Sequence, residues 1–225
     1  MEFEQVVVVG VGGIGGYLVW PLLTYLAHNE DLPKHVVLVD GDLVEEKNLA
    51  RQFFHLDDVG QNKAEAWVNH LGDMDNIQVF AKPDYLVDSN AEQLIPEKTV
   101  VFSCVDNHFT RKIIHDVSCR LKDILVISGG NEYDDGNVQI FKKIKGKTKM
   151  PSLIKYHPEI EFPEDKNPED QSCEELSQSA PQLLITNFEA AALMLTSYWR
   201  VLQGHEDCEV NFDMKTGNVL SVARK

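Results

Sequence analysis

The chain contains no CxxC pair, and its 225 residues hold only four cysteines, Cys104, Cys119, Cys173 and Cys208. That excludes a zinc ribbon and a thioredoxin-type motif and suits a reducing compartment, so no zinc is expected. Long apolar runs are also missing, and no uninterrupted stretch approaches the roughly 20 residues of a membrane span. The first residues, MEFEQVVVVG, carry acids where a secretory leader carries bases, and the apolar run enters glycines directly. They read as the first strand of a cytoplasmic protein. Cations are scarce: 21 Lys and Arg face 36 Asp and Glu, a formal net charge of −15. With no basic stretch to offset that charge, binding to nucleic acid or to an anionic membrane is not expected. The eight histidines are scattered; His28, His55, His70 and His108 lack metal-ligand spacing.

What is present suits one large α/β domain, with 43% hydrophobic and 25% charged residues. Gln5–Val9 and His35–Val39 are β-branched runs of buried-strand type, as is Thr99–Val105. Further strands are expected at Ile77–Ala81 and Ile124–Ser128, with helices from about Gly15 to His28, from Asn62 to about Leu71, and after Val105 through about Arg120. This alternation predicts a doubly wound, mostly parallel sheet with helices on both faces and right-handed crossovers. Asn137–Lys143 alternates like a strand. Residues 145–181 show no period and hold five prolines and many acids, so a long mobile loop is expected there. Leu183–Leu202 is the longest helix candidate, and Cys208–Met214 and Val219–Ala223 form a terminal antiparallel hairpin.

Gly10-Val11-Gly12-Gly13-Ile14-Gly15-Gly16 lies between a strand and a helix. Glycines let the backbone approach a phosphate or sugar, and helix N–H groups face negative charge. Asp40, at the tip of the second strand, is placed for ribose hydroxyls. Up to here an NAD enzyme is described equally well. The next stretch is different. Asn48, Arg51 and Gln52 fall within one helical turn, and Lys63 follows in Gly60-Gln61-Asn62-Lys63. Arg51 and Lys63 are isolated cations in acidic surroundings, and together they suit a triphosphate.

The series resembles the ThiF/MoeB/HesA family of adenylyltransferases, the activators of ubiquitin-like and sulfur-carrier proteins, in its compact bacterial type. The likeness rests on GxGGxG at Gly10–Gly15, DxD at Asp40–Asp42, NLxRQ at Asn48–Gln52 and GxxK at Gly60–Lys63. It continues through DNxxxR at Asp106–Arg111, SGG at Ser128–Gly130 and GxVxxF at Gly136–Phe141. The resemblance implies a Rossmann-like fold and ATP with Mg²⁺ as cofactors. Gly10, Gly12, Gly13, Gly15, Asp40 and Asp42 would form the nucleotide loop and ribose site. Asn48, Arg51, Gln52 and Lys63 would contact the phosphates. Asp106 would hold the metal, and Asn107 would help shape that corner. Arg111 is expected in a structural salt bridge. The same likeness divides the chain into an adenylation core (1–144), an acidic crossover loop (145–181), and a C-terminal helix and hairpin (182–225) completing the same domain.

Adenylation needs alignment and charge stabilisation more than a general base, because a carboxylate is already an anion at neutral pH. Arg51, Lys63 and Asp106 are the catalytic candidates. Cys173, in the crossover stretch, is a candidate to take the acyl group as a thioester, since a mobile loop can carry a thiol to an adenylate. The implied partners are a small ubiquitin-like protein ending in Gly-Gly, a conjugating enzyme, and a second copy of the chain in a homodimer. Two other readings stand beside this one: an NAD(P)-dependent oxidoreductase, and a nucleotide-binding scaffold without turnover. The chain departs from the family pattern in having no N-terminal helix to supply an arginine and in lacking the paired CxxC.

Overall fold

A computed structural model describes residues 3–165 and 183–223. Cys173 therefore lies outside the described residues. Strand β1 (Gln5–Val9) pairs in parallel with β2 (His35–Val39) on one side and with β4 (Thr99–Ser103) on the other. Beyond β2 lies β3 (Gln78–Lys82), and beyond β4 lies β5 (Ile124–Asn131), both also parallel. The sheet then turns antiparallel through β6 (Asp135–Ile144), β8 (Glu209–Asp213) and β9 (Asn218–Val222). The strand order is β3-β2-β1-β4-β5-β6-β8-β9. The chain winds outward from β1 in both directions, so the sheet has a switch point between β1 and β4, where such folds bind ligands beyond the strand ends.

Both faces of β1 are buried, and its alternation splits the core. Val6 and Val8 join the cluster under α1 (Gly13–Ala27), α2 (Lys63–Leu71) and the long α5 (Leu184–Leu202). Val7 and Val9 join the cluster under α3 (Asp88–Leu94) and α4 (His108–Arg120). Helix α1 places Leu18, Leu22, Leu23 and Leu26 at 0% exposure; each buried leucine contributes about 1.5–3 kcal/mol. Pro21 lies inside this helix without ending it. Helix α5 crosses α1 and covers β5 and β6, with Tyr198 fully buried and its ring edge-on to Phe102 at 5.5 Å.

The Rossmann-like core and the terminal antiparallel strands match the sequence expectation. Three elements do not. Helix α3 is short and polar, and nothing in Asp88–Leu94 marks it beforehand. Strand β5 runs on past Ser128 to Asn131, where it meets the start of β6. The stretch after Lys145, expected to be irregular, opens with β7 (Lys147–Met150) on the edge of β6 and then makes short helical turns at Leu153–Lys155 and Pro158–Ile160. Leu153 and Ile160 are buried in the α4-side core. Two well-placed apolar residues anchor a segment whose average composition is polar. Among the described residues no helix is long and apolar enough to cross a membrane.

Candidate active site

The carboxyl ends of β1, β2 and β4 meet at one rim. The glycine loop leaves β1 with Gly10 at φ +83°, a left-handed conformation that favours glycine. Where the loop becomes α1, an added Cβ at Gly15 would stand 1.9 Å from Gly10 O, so no side chain fits there. Asp40 leaves β2 and joins the two edges of this rim: Val11 N–H donates to its Oδ2 at 2.8 Å, and Asp42 N–H donates to its Oδ1 at 2.9 Å. The carboxylate that the sequence places at a ribose thus also pins the glycine loop to the β2 exit.

Lys63 is the first residue of α2, whose N-cap is Asn62. Asn62 Oδ1 accepts from Ala64 N–H, and its Nδ2 donates to Asp40 O at 2.7 Å and to Asp42 O at 3.1 Å. The start of α2 is therefore bound to the DxD turn, and Lys63 is carried into the rim at 7% exposure. Its Nζ meets Asp42 Oδ2 at 2.7 Å. Isolated in sequence, this cation is paired in space. Tyr85, which sequence reasoning did not single out, donates its hydroxyl to Asp42 Oδ1 at 2.6 Å and packs its ring against Gly41. Its only sequence signal is an aromatic ring beyond β3.

Burial pushes the Asp40 carboxyl above the ordinary carboxylate range; the Lys63 charge and the two backbone N–H bonds oppose this without overcoming it. Burial acts on Asp42 too, but the Lys63 charge and hydrogen bond, with the Tyr85 bond, outweigh it and hold Asp42 below the ordinary range. Desolvation lowers Lys63, yet Asp40, Asp42 and the more distant Asp106 together raise it above the usual lysine value. Lys63 stays charged, and Asp106 lies within its electrostatic reach.

Asp106 and Asn107 follow β4. Asp106 is exposed at the rim, and Asn107 caps α4, accepting from Thr110 N–H at 2.8 Å. Asn48 is buried and caps its own turn, accepting from Glu45 N–H at 2.9 Å. Arg51 is half-buried on the same turn, held through its backbone N–H by Asn48 O. Gln52 lies against Gly12, where an added Cβ would be 3.2 Å from its amide. Arg111 departs from expectation. Its Nη2 donates to Val105 O at 2.9 Å and Gly129 O at 3.1 Å, with no salt bridge among the described residues. The guanidinium thus ties the segment that follows β4 to β5 through their backbone carbonyls. Among the described residues no three His, Cys, Asp or Glu side chains group as a metal centre. A single exposed carboxylate still fits Mg²⁺, which takes one or two protein carboxylates and completes its shell with phosphates and water.

A family model described as ThiF family matches residues 1–223. The chain belongs to the ThiF family. It is 39% identical over 131 residues to the SAMP-activating enzyme E1 of Haloferax volcanii, covering 56% of this chain and 45% of that protein. It is 31% identical over 144 residues to the adenylyltransferase and sulfurtransferase UBA4 of Meyerozyma guilliermondii, covering 63% and 32%. The chain thus spans less than half the length of either relative. Escherichia coli MccB, solved with AMPCPP and MccA, superposes with a TM-score of 0.72 at 21% identity over 98% of this chain and 63% of MccB. PaaA does so at 0.70 and 18%, over 98% and 64%. Both share the fold of this ThiF-family chain.

The buried pairing in this ThiF-family site has a pH signature. Because Asp42 is depressed, its stabilising share is present above the ordinary carboxylate range and is lost as pH falls through the lowered value. Lys63→Met leaves Asp42 without its cation and should cost about 2 kcal/mol at neutral pH, less than a fully buried pair because the Asp42 side chain is 37% exposed. Urea unfolding should show the gap between variant and wild type narrowing below about pH 4. A gap that is constant from neutral to acid pH would show that the loss is one of packing.

Proposed function

We propose that this chain uses ATP to adenylate the C-terminal carboxylate of a small ubiquitin-like or sulfur-carrier-like protein ending in Gly-Gly. The observation that carries the reading is the convergence at one rim of the α1 N-terminus, the Asp40–Lys63–Asp42 cluster and Asp106. Asp40 has lone pairs left for ribose hydroxyls after binding two backbone N–H groups. Lys63 is held by Asp42 at the edge of the glycine loop, where a phosphate oxygen can share it. Gln52 lies against the same loop at Gly12, and Arg51 precedes it on the same turn. The rim carries three carboxylates against Lys63 and Arg51, so a polyanionic phosphate chain there calls for further positive charge. A magnesium ion held by Asp106 would supply that charge and neutralise the leaving pyrophosphate. A carboxylate oxygen of the protein substrate attacks the α-phosphorus, the bond to the β-phosphate oxygen breaks, and pyrophosphate departs. No proton transfer is needed, since the attacking carboxylate is already an anion. The two relatives, a SAMP-activating enzyme E1 and an adenylyltransferase and sulfurtransferase, support a protein carboxylate as substrate.

Pyrophosphate exchange tests this directly. Asp106→Ala, at an exposed strand-end position, should stay folded by circular dichroism and lose exchange by about 10²-fold or more. Exchange at the wild-type rate in the folded variant would remove Asp106 from the chemistry.

A second step would follow if Cys173 takes the acyl group: its thiolate attacks the acyl carbon, the bond to the phosphate oxygen breaks, and AMP leaves. The described cysteines are poorly suited to that role. Cys104 is buried and its thiol is pushed far up by desolvation. Cys208 is buried at the start of β8. Cys119 is exposed and sits 3.5 Å from His115 Nε2, and partial desolvation raises its thiol. A non-reducing gel with ATP and the cognate Gly-Gly protein should show a thiol-sensitive adduct that Cys173→Ala abolishes while exchange persists. An adduct surviving that change would exclude Cys173.

A further inference from the structure

Two side-chain amides flank the N-terminus of α1. Gln52 lies against Gly12, and Asn187, from the first turn of α5, lies against Gly13, where an added Cβ would stand 3.1 Å from Asn187 Nδ2. Asn187 is tied from behind. Its Oδ1 accepts from Asn131 Nδ2 at 3.0 Å at the end of β5, and the neighbouring Thr186 donates its hydroxyl to Tyr133 O at 2.9 Å. These bonds fix the first turn of α5 over the β5–β6 corner. The amide lies flat against Gly13, with Nδ2 at 3.1 Å and Oδ1 at 3.2 Å from the added Cβ, and because Asn131 donates to Oδ1 the unused donor is Nδ2. Asn187 is 0% exposed, yet its Nδ2 has no hydrogen-bond partner among the described residues.

A buried amide donor without an acceptor is costly, and packing alone does not require one, since an apolar side chain would fill a gap between helices. The place where this donor sits is also where α1 begins, with Gly12 as an N-cap that offers no side-chain acceptor. The first-turn N–H groups of α1 and an unpartnered amide donor against Gly13 thus belong to one helix end, where an anion is the fitting ligand. We propose that Asn187 completes the phosphate cradle from the C-terminal helix, with Nδ2 donating to a phosphate oxygen seated at the α1 N-terminus and Asn131 holding the amide in that orientation. This rests on the nucleotide reading of the glycine loop and adds to it a contact from the far end of the chain.

The test compares ATP, with magnesium, and adenosine as probes on the full chain by calorimetry, because adenosine fills the base and ribose site without touching the cradle. Asn187→Ala should weaken ATP by about 10-fold and leave adenosine unchanged. Asn187→Asp keeps the bond from Asn131 and nearly the same shape but turns a carboxylate toward the phosphates, so it should weaken ATP further, again sparing adenosine. Equal losses for both probes, or unchanged ATP affinity in a folded variant, would overturn the proposal. Wild-type protein that binds adenosine but no tighter with phosphates added would do the same, whereas wild type binding neither probe would defeat the nucleotide reading itself. Should both variants fail to fold, the Asn187 side-chain amide resonances of ¹⁵N-labelled wild type decide the matter: they must shift with ATP and stay in place with adenosine, and equal behaviour with the two probes would overturn the assignment.

Discussion

The Asp40 carboxylate accepts one backbone N–H from the glycine loop and one from the DxD turn, and the geometry of the whole rim follows from that pair of hydrogen bonds. Two strands that leave the sheet side by side would otherwise carry independent loops. Joined through one carboxylate, they hold a fixed separation, and Asn62 extends the link by donating to the backbone carbonyls of both Asp40 and Asp42. The arrangement places Lys63 in the rim as the first residue of a helix, so the cation needs no long flexible reach. It also gathers charges that must be compensated: a carboxyl raised by burial, one lowered by its cation, and a lysine raised by both. A buried group of this kind contributes little net stability, because desolvation offsets attraction. What it provides is a preorganised polar surface for a charged ligand.

The doubly wound topology brings the remaining parts together. β1 and β4 run side by side while the helices that follow them pack on opposite faces, so the glycine loop and Asp106 reach one rim from the two sides of the switch point. The antiparallel half then returns the chain across the outer strands, and α5 packs back over α1. That return makes the glycine loop a junction of three segments widely separated in sequence: the loop itself, the Asn48–Gln52 turn and the first turn of α5.

The buried parallel strands were legible because uninterrupted β-branched runs such as QVVVV and HVVLV have few alternatives. β1 and β2 lie where their composition puts them. Asp40 was legible as a rim residue because it directly follows a strand, and Gln52 and Lys63 were legible only through the NLxRQ and GxxK motifs of the family likeness. What escaped was set by tertiary contact. Helix α3 and strand β7 are short and polar and take their form from neighbours. The Asp42–Lys63 pair, the Tyr85 bond and the use of Arg111 on two backbone carbonyls depend on distances across 21, 43 and 18 sequence positions, which no local pattern encodes. Asn187 is 56 residues from its partner Asn131, and its role emerges only once α5 is seen against the glycine loop.

On this reading the rim is built for a nucleoside triphosphate and not for a dinucleotide. Titration calorimetry of the full chain with ATP in the presence of magnesium, and separately with NAD, addresses it most directly. Saturable ATP binding that Lys63→Met weakens is expected, with no comparable heat from NAD. Tighter binding of NAD than of ATP, unaffected by loss of Lys63, would contradict it.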